Sequence, residues 1–201
     1  MKPTYLLYDT SAAGKPKDWK APFSDTFAWP RLVHISWIVL DQDFKPLHDF
    51  DYVVEKEPEW DKKIKKSAKI DNDDVERNSI PLKDILQFFD ESVKSIDYMI
   101  TFNMNFNENV VAAEFIRENM TPSLFAKDRF CLMQESTFYC KIPSRTGGYK
   151  WPSLTELHAI LFKSRFSPPN NARADVIATA RCFILLMKVK ALDDMFDDEE
   201  E

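Results

Sequence analysis

The chain has 201 residues, 44% of them hydrophobic and 13% aromatic, with 16 Phe and 5 Trp. That is ample apolar material for one packed domain and too little length for two comfortable ones. The formal charge of −6 argues against a protein that coats nucleic acid broadly, though not against one that holds a strand end in a local cleft. No apolar run comes near the length of a membrane span. The chain start lacks the cationic flank and small-residue cleavage site of a signal peptide. A cytoplasmic protein with no membrane partner is the expectation.

Taken in chain order, residues 4–9 read as a buried strand ending in an aspartate, and residues 10–30, rich in Pro, Gly, Lys and Asp, as a loop. Leu32 to Leu40 alternates imperfectly through Val33, Ile35, Trp37 and Val39 and is strand-like. A turn at Asp41-Gln42-Asp43 leads to a returning strand over His48 to Val54, so the first three strands form an antiparallel meander. Lys62 to Lys69 places Ile64 and Ala68 four apart among lysines and predicts an amphipathic surface helix with a solvated basic face. Pro81 starts a second helix, whose apolar stripe runs through Ile85, Phe88, Phe89 and Val93. Asp97 to Phe102 reads as a short fourth strand and Phe106 to Glu118 as a helix turned inward at Phe106, Val110, Ala113 and Phe115.

Ser153 and Glu156 have the spacing of a capping box and open a helix through Leu161. Pro168-Pro169 interrupts the chain, and a last helix spans about 172–191. One domain over 1–190 is expected, followed by a solvated, disordered acidic tail over 191–201. Three strands followed by alternating helices and strands indicate an α/β domain with a mixed sheet. Cys131, Cys140 and Cys182 are odd in number and widely spaced, which suits reduced and mostly buried thiols. Cys131, Cys140 and His158 are zinc-ligand types, but no short paired spacing joins them.

Three segments reach beyond composition. They are Tyr8-Asp9-Thr10-Ser11-Ala12-Ala13-Gly14 at the end of the first strand, Thr101-Phe102-Asn103-Met104-Asn105-Phe106-Asn107 between the fourth strand and its helix, and Asn170-Asn171-Ala172-Arg173-Ala174-Asp175-Val176-Ile177-Ala178-Thr179 at the start of the last helix. In type, order and spacing they resemble the three exonuclease motifs of the DnaQ-like 3′–5′ exonucleases, of the type that ends in a histidine-bearing third motif. Trp29-Pro30-Arg31-Leu32-Val33 and Tyr149-Lys150-Trp151-Pro152-Ser153-Leu154 also resemble stretches of bacterial members such as the DNA polymerase III epsilon-subunit-like enzymes. The resemblance covers the chain to about residue 190. It implies a ribonuclease-H-like mixed sheet flanked by helices. It also implies a reaction in which two divalent ions, Mg²⁺ or Mn²⁺ held by carboxylates, remove nucleotides from a 3′ end while a histidine serves as general base.

Against that pattern, the first motif's Asp-x-Glu is here Asp9 with Ser11. The second motif's His-Asn-x-x-Phe-Asp runs from Phe102 to Asn107, so its aspartate is Asn107. The third motif's His-x-Ala-x-x-Asp runs from Asn170 to Asp175, so the base position is Asn170. Of four carboxylates and one histidine, only Asp9 and Asp175 remain. Losing a general base alone costs about 10²–10⁴ in rate. Losing carboxylates is worse, because two adjacent dications then lack the negative charge that holds them together, and a single weakly held Mg²⁺ or Mn²⁺ is the most to expect. Glu108 follows Asn107 but is turned about 100° away along a helix, and His158 reads as a core-edge histidine rather than a substitute base.

Taken singly, Asp9 and Asp175 also suit capping positions; within the motifs they read as remnants of a metal site. The resemblance therefore implies a pseudo-exonuclease that keeps the fold and acts by binding a nucleic-acid end or a protein partner. Two alternatives stand beside it. One is a weak, metal-dependent 3′–5′ exonuclease using Asp9 and Asp175. The other is a single-strand binder with Phe102, Tyr149 and Trp151 as stacking groups and Lys150 and Arg173 for phosphates.

Overall fold

A computed structural model of the chain describes residues 3–55, 79–164, 171–192 and 196. The expected helix at Lys62 to Lys69, the Pro168-Pro169 break, Asn170 and most of the acidic tail lie outside the described residues.

The described strands are β1 (Tyr5–Ala12), β2 (Leu32–Leu40), β3 (Pro46–Val54), β4 (Ser79–Ile80), β5 (Tyr98–Thr101) and β6 (Asp128–Cys131). They form one sheet in the order β4-β3-β2-β1-β5-β6. β1, β2 and β3 pair antiparallel, whereas β4, β5 and β6 each join by parallel pairing. The helices are α1 (Leu82–Lys94), α2 (Met104–Arg117), the four-residue α3 (Leu132–Glu135) and α4 (Thr137–Cys140), α5 (Leu154–Phe162) and α6 (Ala172–Lys188), with a 3₁₀ turn at Leu124–Ala126. This is the expected mixed α/β architecture of ribonuclease-H-like type.

The strand period of two sorts β1 between two cores. Leu6 and Tyr8 join one cluster with Ile35, Trp37, Phe89, Val110 and Phe115, on the side covered by α1 and α2. Tyr5 and Leu7 join the other with Ile38, Ile100, Leu157, Val176 and Phe183, on the side covered by α5 and α6. All nine residues of β2 are buried. Helices on both faces explain why its alternation is weak, since a strand covered twice has no reason to be polar on either side.

Glu114 of α2, fully buried, braces the first core. Its carboxylate accepts from Arg31 Nε at 3.0 Å and from the Leu32 backbone N–H at 2.8 Å, and pairs with Arg117 at 2.9 Å. A buried carboxylate is tolerated only when paired and fully hydrogen-bonded, so α2 is fixed against the entry to β2. Placing α2 places the second motif.

The cysteines are free thiols, with Cys131 and Cys182 buried. At the other end of the sheet, Leu192 is buried and Phe196 sits among Tyr5, Tyr98 and Phe130 at ring distances of 5.0–5.7 Å. Among the described residues no helix is long and apolar enough to cross a membrane.

Candidate functional site

The parallel register between β1 and β5 ends at Leu7↔Ile100. Beyond that point β1 continues alone on this side with Asp9, Thr10 and Ser11, all nearly buried. The chain leaving β5 turns through Asn103, whose φ of 72° is left-handed, a conformation that asparagine adopts more readily than most residues. The Asn103 carbonyl then accepts from the backbone N–H groups of Phe106 and Asn107 at 3.1 and 3.2 Å. Side chains in a first turn lean towards the helix N-terminus, and Asn107 is thereby aimed at the end of β1 that extends past its pairing with β5.

The Asn107 carboxamide is fully engaged there. Its Oδ1 accepts from the Thr10 backbone N–H at 3.0 Å and from the Thr10 hydroxyl at 2.6 Å. Its Nδ2 donates to Asp9 Oδ1 at 3.0 Å, to the Thr101 hydroxyl at 2.8 Å and to the Phe102 carbonyl at 2.9 Å. The amide orientation follows from the network. A backbone N–H at Thr10 demands an acceptor, so the oxygen faces Thr10 and the NH₂ faces Asp9.

Ser11 is also committed. Its Oγ accepts from the Ala172 backbone N–H at 3.0 Å, satisfying one of the open donors at the start of α6. Asn171 caps the same helix, with its side-chain oxygen accepting from Ala174 N–H at 2.9 Å. These two bonds seat the third motif against the first and bring half-buried Asp175 to the same pocket as Asp9.

That pocket is open and has a volume of about 450 Å³. Asp9, Asn107 and Asp175 line it together with Phe102, Phe106 and the segment from Pro152 to Thr155. Burial, and then the neighbouring Asp175 carboxylate, push the Asp9 carboxyl well above the usual carboxylate range, against the opposing bonds from Asn107 and the Thr10 backbone.

The other singled-out residues fall in three places. Phe102 lines the pocket, whereas Tyr149 and Trp151 are exposed outside it. Lys150 donates to both Glu156 oxygens at 2.7 Å. Arg173 is held by Asp49 through both carboxylate oxygens, one at 2.8 Å, and that bond raises its already high pKa further. Glu108 turns away to pair with Arg129 at 2.6 Å. His158 is buried against Phe162 at a ring distance of 4.4 Å, and burial followed by Arg181 lowers its pKa. Thr10 bonds Asn107 across 97 residues and Thr101 bonds it across six, and nothing in the type of either threonine announces the bond.

No protein-family model matches this sequence, and no curated protein matches it. Its fold is similar to solved structures of exonuclease I. Escherichia coli exonuclease I in complex with a dA16 oligonucleotide superimposes with a TM-score of 0.69 at 15% identity, over 97% of this chain and 43% of that one. A product-bound exonuclease I gives 0.67 at 14%, over 98% and 46%. A complex of exonuclease I with SSB-Ct gives 0.68 at 14%, over 98% and 44%. The chain thus spans less than half the length of these proteins, and the likeness is one of fold.

Proposed function

We propose that this is a DnaQ-like 3′–5′ exonuclease-fold protein, related in its motifs to the polymerase III epsilon-like type, whose cleavage chemistry is lost or severely impaired and which acts by binding. The observation behind this reading is the Asn107 network. A pair of dications needs anionic oxygens directed into the pocket. At the second-motif position an NH₂ group instead donates to Asp9, and the amide oxygen is spent on Thr10. The Ser11 hydroxyl is spent on α6. Among the described residues no group of three or more His, Cys, Asp or Glu side chains is arranged to hold a metal. The donor set does not fit a two-metal centre.

A second reading draws on Asp9 and Asp175 lining one pocket. Two carboxylates suit one Mg²⁺ or Mn²⁺, and a slow metal-dependent exonuclease would use them. For the binding role the partner is a single strand or a protein, in line with the oligonucleotide and SSB-Ct complexes of exonuclease I. The test is digestion of a 3′-single-stranded oligonucleotide with Mg²⁺ or Mn²⁺ beside an Asp9→Ala/Asp175→Ala control. No shortening above the control supports the impaired reading. Stepwise shortening that vanishes in the control establishes the second.

A further inference from the structure

Resting on that reading, we propose that the segment from Phe138 to Trp151 is a docking platform for single-stranded nucleic acid, leading to the pocket at Pro152. After α4 the chain turns at Lys141, in the left-handed region at φ 49°. It then folds back as a short hairpin closed by the Pro143↔Tyr149 bridge, with backbone bonds from Lys150 N–H to the Ile142 carbonyl at 2.9 Å and from Ser144 N–H to the Gly148 carbonyl at 3.0 Å. Gly147 and Gly148, at φ 95° and 69°, make the tip, where a side chain would be strained. The hairpin is a built element rather than a loose loop.

What it presents is aromatic and cationic together. Phe138 is 75% exposed, Tyr149 45% and Trp151 58%, and Phe138 meets Tyr149 edge-on at 6.3 Å. Lys141, Arg145 and Lys150 are exposed among them. From Thr137 to Pro152 the chain has these three cations and no carboxylate, in a protein of net charge −6. Exposed rings interleaved with cations suit a single strand, whose bases offer flat faces and whose phosphates offer charge. A protein partner of ordinary apolar type would have no use for the cations.

Position supports the same occupant. The residue after Trp151 begins the pocket wall, and Pro152, Ser153, Leu154 and Thr155 continue it. Lys150, paired with Glu156, steadies this junction, which leaves Lys141 and Arg145 as the phosphate-facing charges. Arg173, clasped by Asp49, takes no part.

The experiment is fluorescence anisotropy of the whole chain with labelled dT and U dodecamers at low salt in EDTA. The platform predicts binding that weakens as salt rises. It also predicts about tenfold or greater loss in Tyr149→Ala/Trp151→Ala and comparable loss with a shallower salt slope in Lys141→Glu/Arg145→Glu. Melting temperatures should stay unchanged in both, because the substituted side chains are exposed. Tryptophan quenching by unlabelled oligonucleotide should shrink in Trp151→Phe. If the wild type binds but both double variants bind equally well, the platform is refuted while the impaired-exonuclease reading stands. If the wild type binds neither oligonucleotide, the platform fails and binding in that reading passes to a protein. The digestion assay, which needs divalent metal, judges that reading separately.

Discussion

Asn107 directs an NH₂ donor at Asp9, where a two-metal centre would need an anion. Asn107→Asp removes the NH₂ group whose two N–H donors serve Asp9, Thr101 and the Phe102 carbonyl, and sets a third carboxylate beside Asp9 and Asp175. It should lower stability in EDTA at neutral pH by about 1–3 kcal/mol, with the loss reversed by millimolar Mn²⁺; a melting curve unmoved in EDTA would contradict the network. Glu114 has the opposite character, a buried charge with all its partners present. Glu114→Ala removes the acceptor of the buried Leu32 N–H and one partner each of Arg31 and Arg117, and should cost about 1–3 kcal/mol, read from denaturant midpoints. Motif spacing marked Asp9, Ser11, Asn107 and Asp175 in the sequence, and the structure sets Asp9, Asn107 and Asp175 around one pocket with Ser11 bonded to the start of α6. The pairings were not legible there. Thr10 with Asn107, Ser11 with Ala172 and Arg173 with Asp49 join residues far apart in the chain, and nothing local encodes them.

Elements long enough to repeat a pattern were readable, as was the four-residue β5, expected over Asp97 to Phe102; the other short ones were not. β1, β2, β3, α1, α2 and α6 stand close to their expected ranges, with shifts of a few residues at the ends. β4 has two residues, β6 four, and α3 and α4 four each, too few for a period to emerge. β6 is also an edge strand whose Asp128 and Arg129 are exposed, so it lacks the apolar signature of its neighbours. The capping box at Ser153 is present as read, with Glu156 N–H donating to Ser153 Oγ at 3.2 Å and Ser153 N–H to Glu156 at 2.8 Å. Ser153→Ala should cost about 1 kcal/mol in thermal unfolding.

α1 supplies a pH-dependent tie. Burial pushes the Asp90 carboxyl up, but Lys94 at 2.6 Å and the Ser123 backbone N–H at 2.8 Å outweigh it, and the net shift is downward. A carboxyl lowered in the folded state stabilises above its unfolded pKa, near 3.9, and that contribution is lost as pH falls through the lower native value. Asp90→Asn should therefore destabilise at pH 7 and converge with the wild type as pH falls from about 3.9 through the lowered native value. A constant difference across that range would contradict the tie.

At the scale of the whole molecule, the sheet order and the two cores account for where the pocket lies. β1 runs centrally, its parallel neighbour β5 stops short, and two helix starts, those of α2 and α6, close on the gap. That geometry was predicted as a ribonuclease-H-like sheet and is the observed one. The same frame brings Asp9 and Asp175 to one pocket, while the Ser11 hydroxyl is bonded to α6 and the Asn107 oxygen to Thr10. The measurement that tests this most directly is Mn²⁺ stoichiometry by electron paramagnetic resonance, on the wild type and on Asp9→Ala/Asp175→Ala. We expect no more than one weakly held ion per chain, lost in the double variant, with no spin-coupled pair. Two tightly held, coupled ions that vanish in the double variant would contradict the account and show that two carboxylates suffice to assemble the centre.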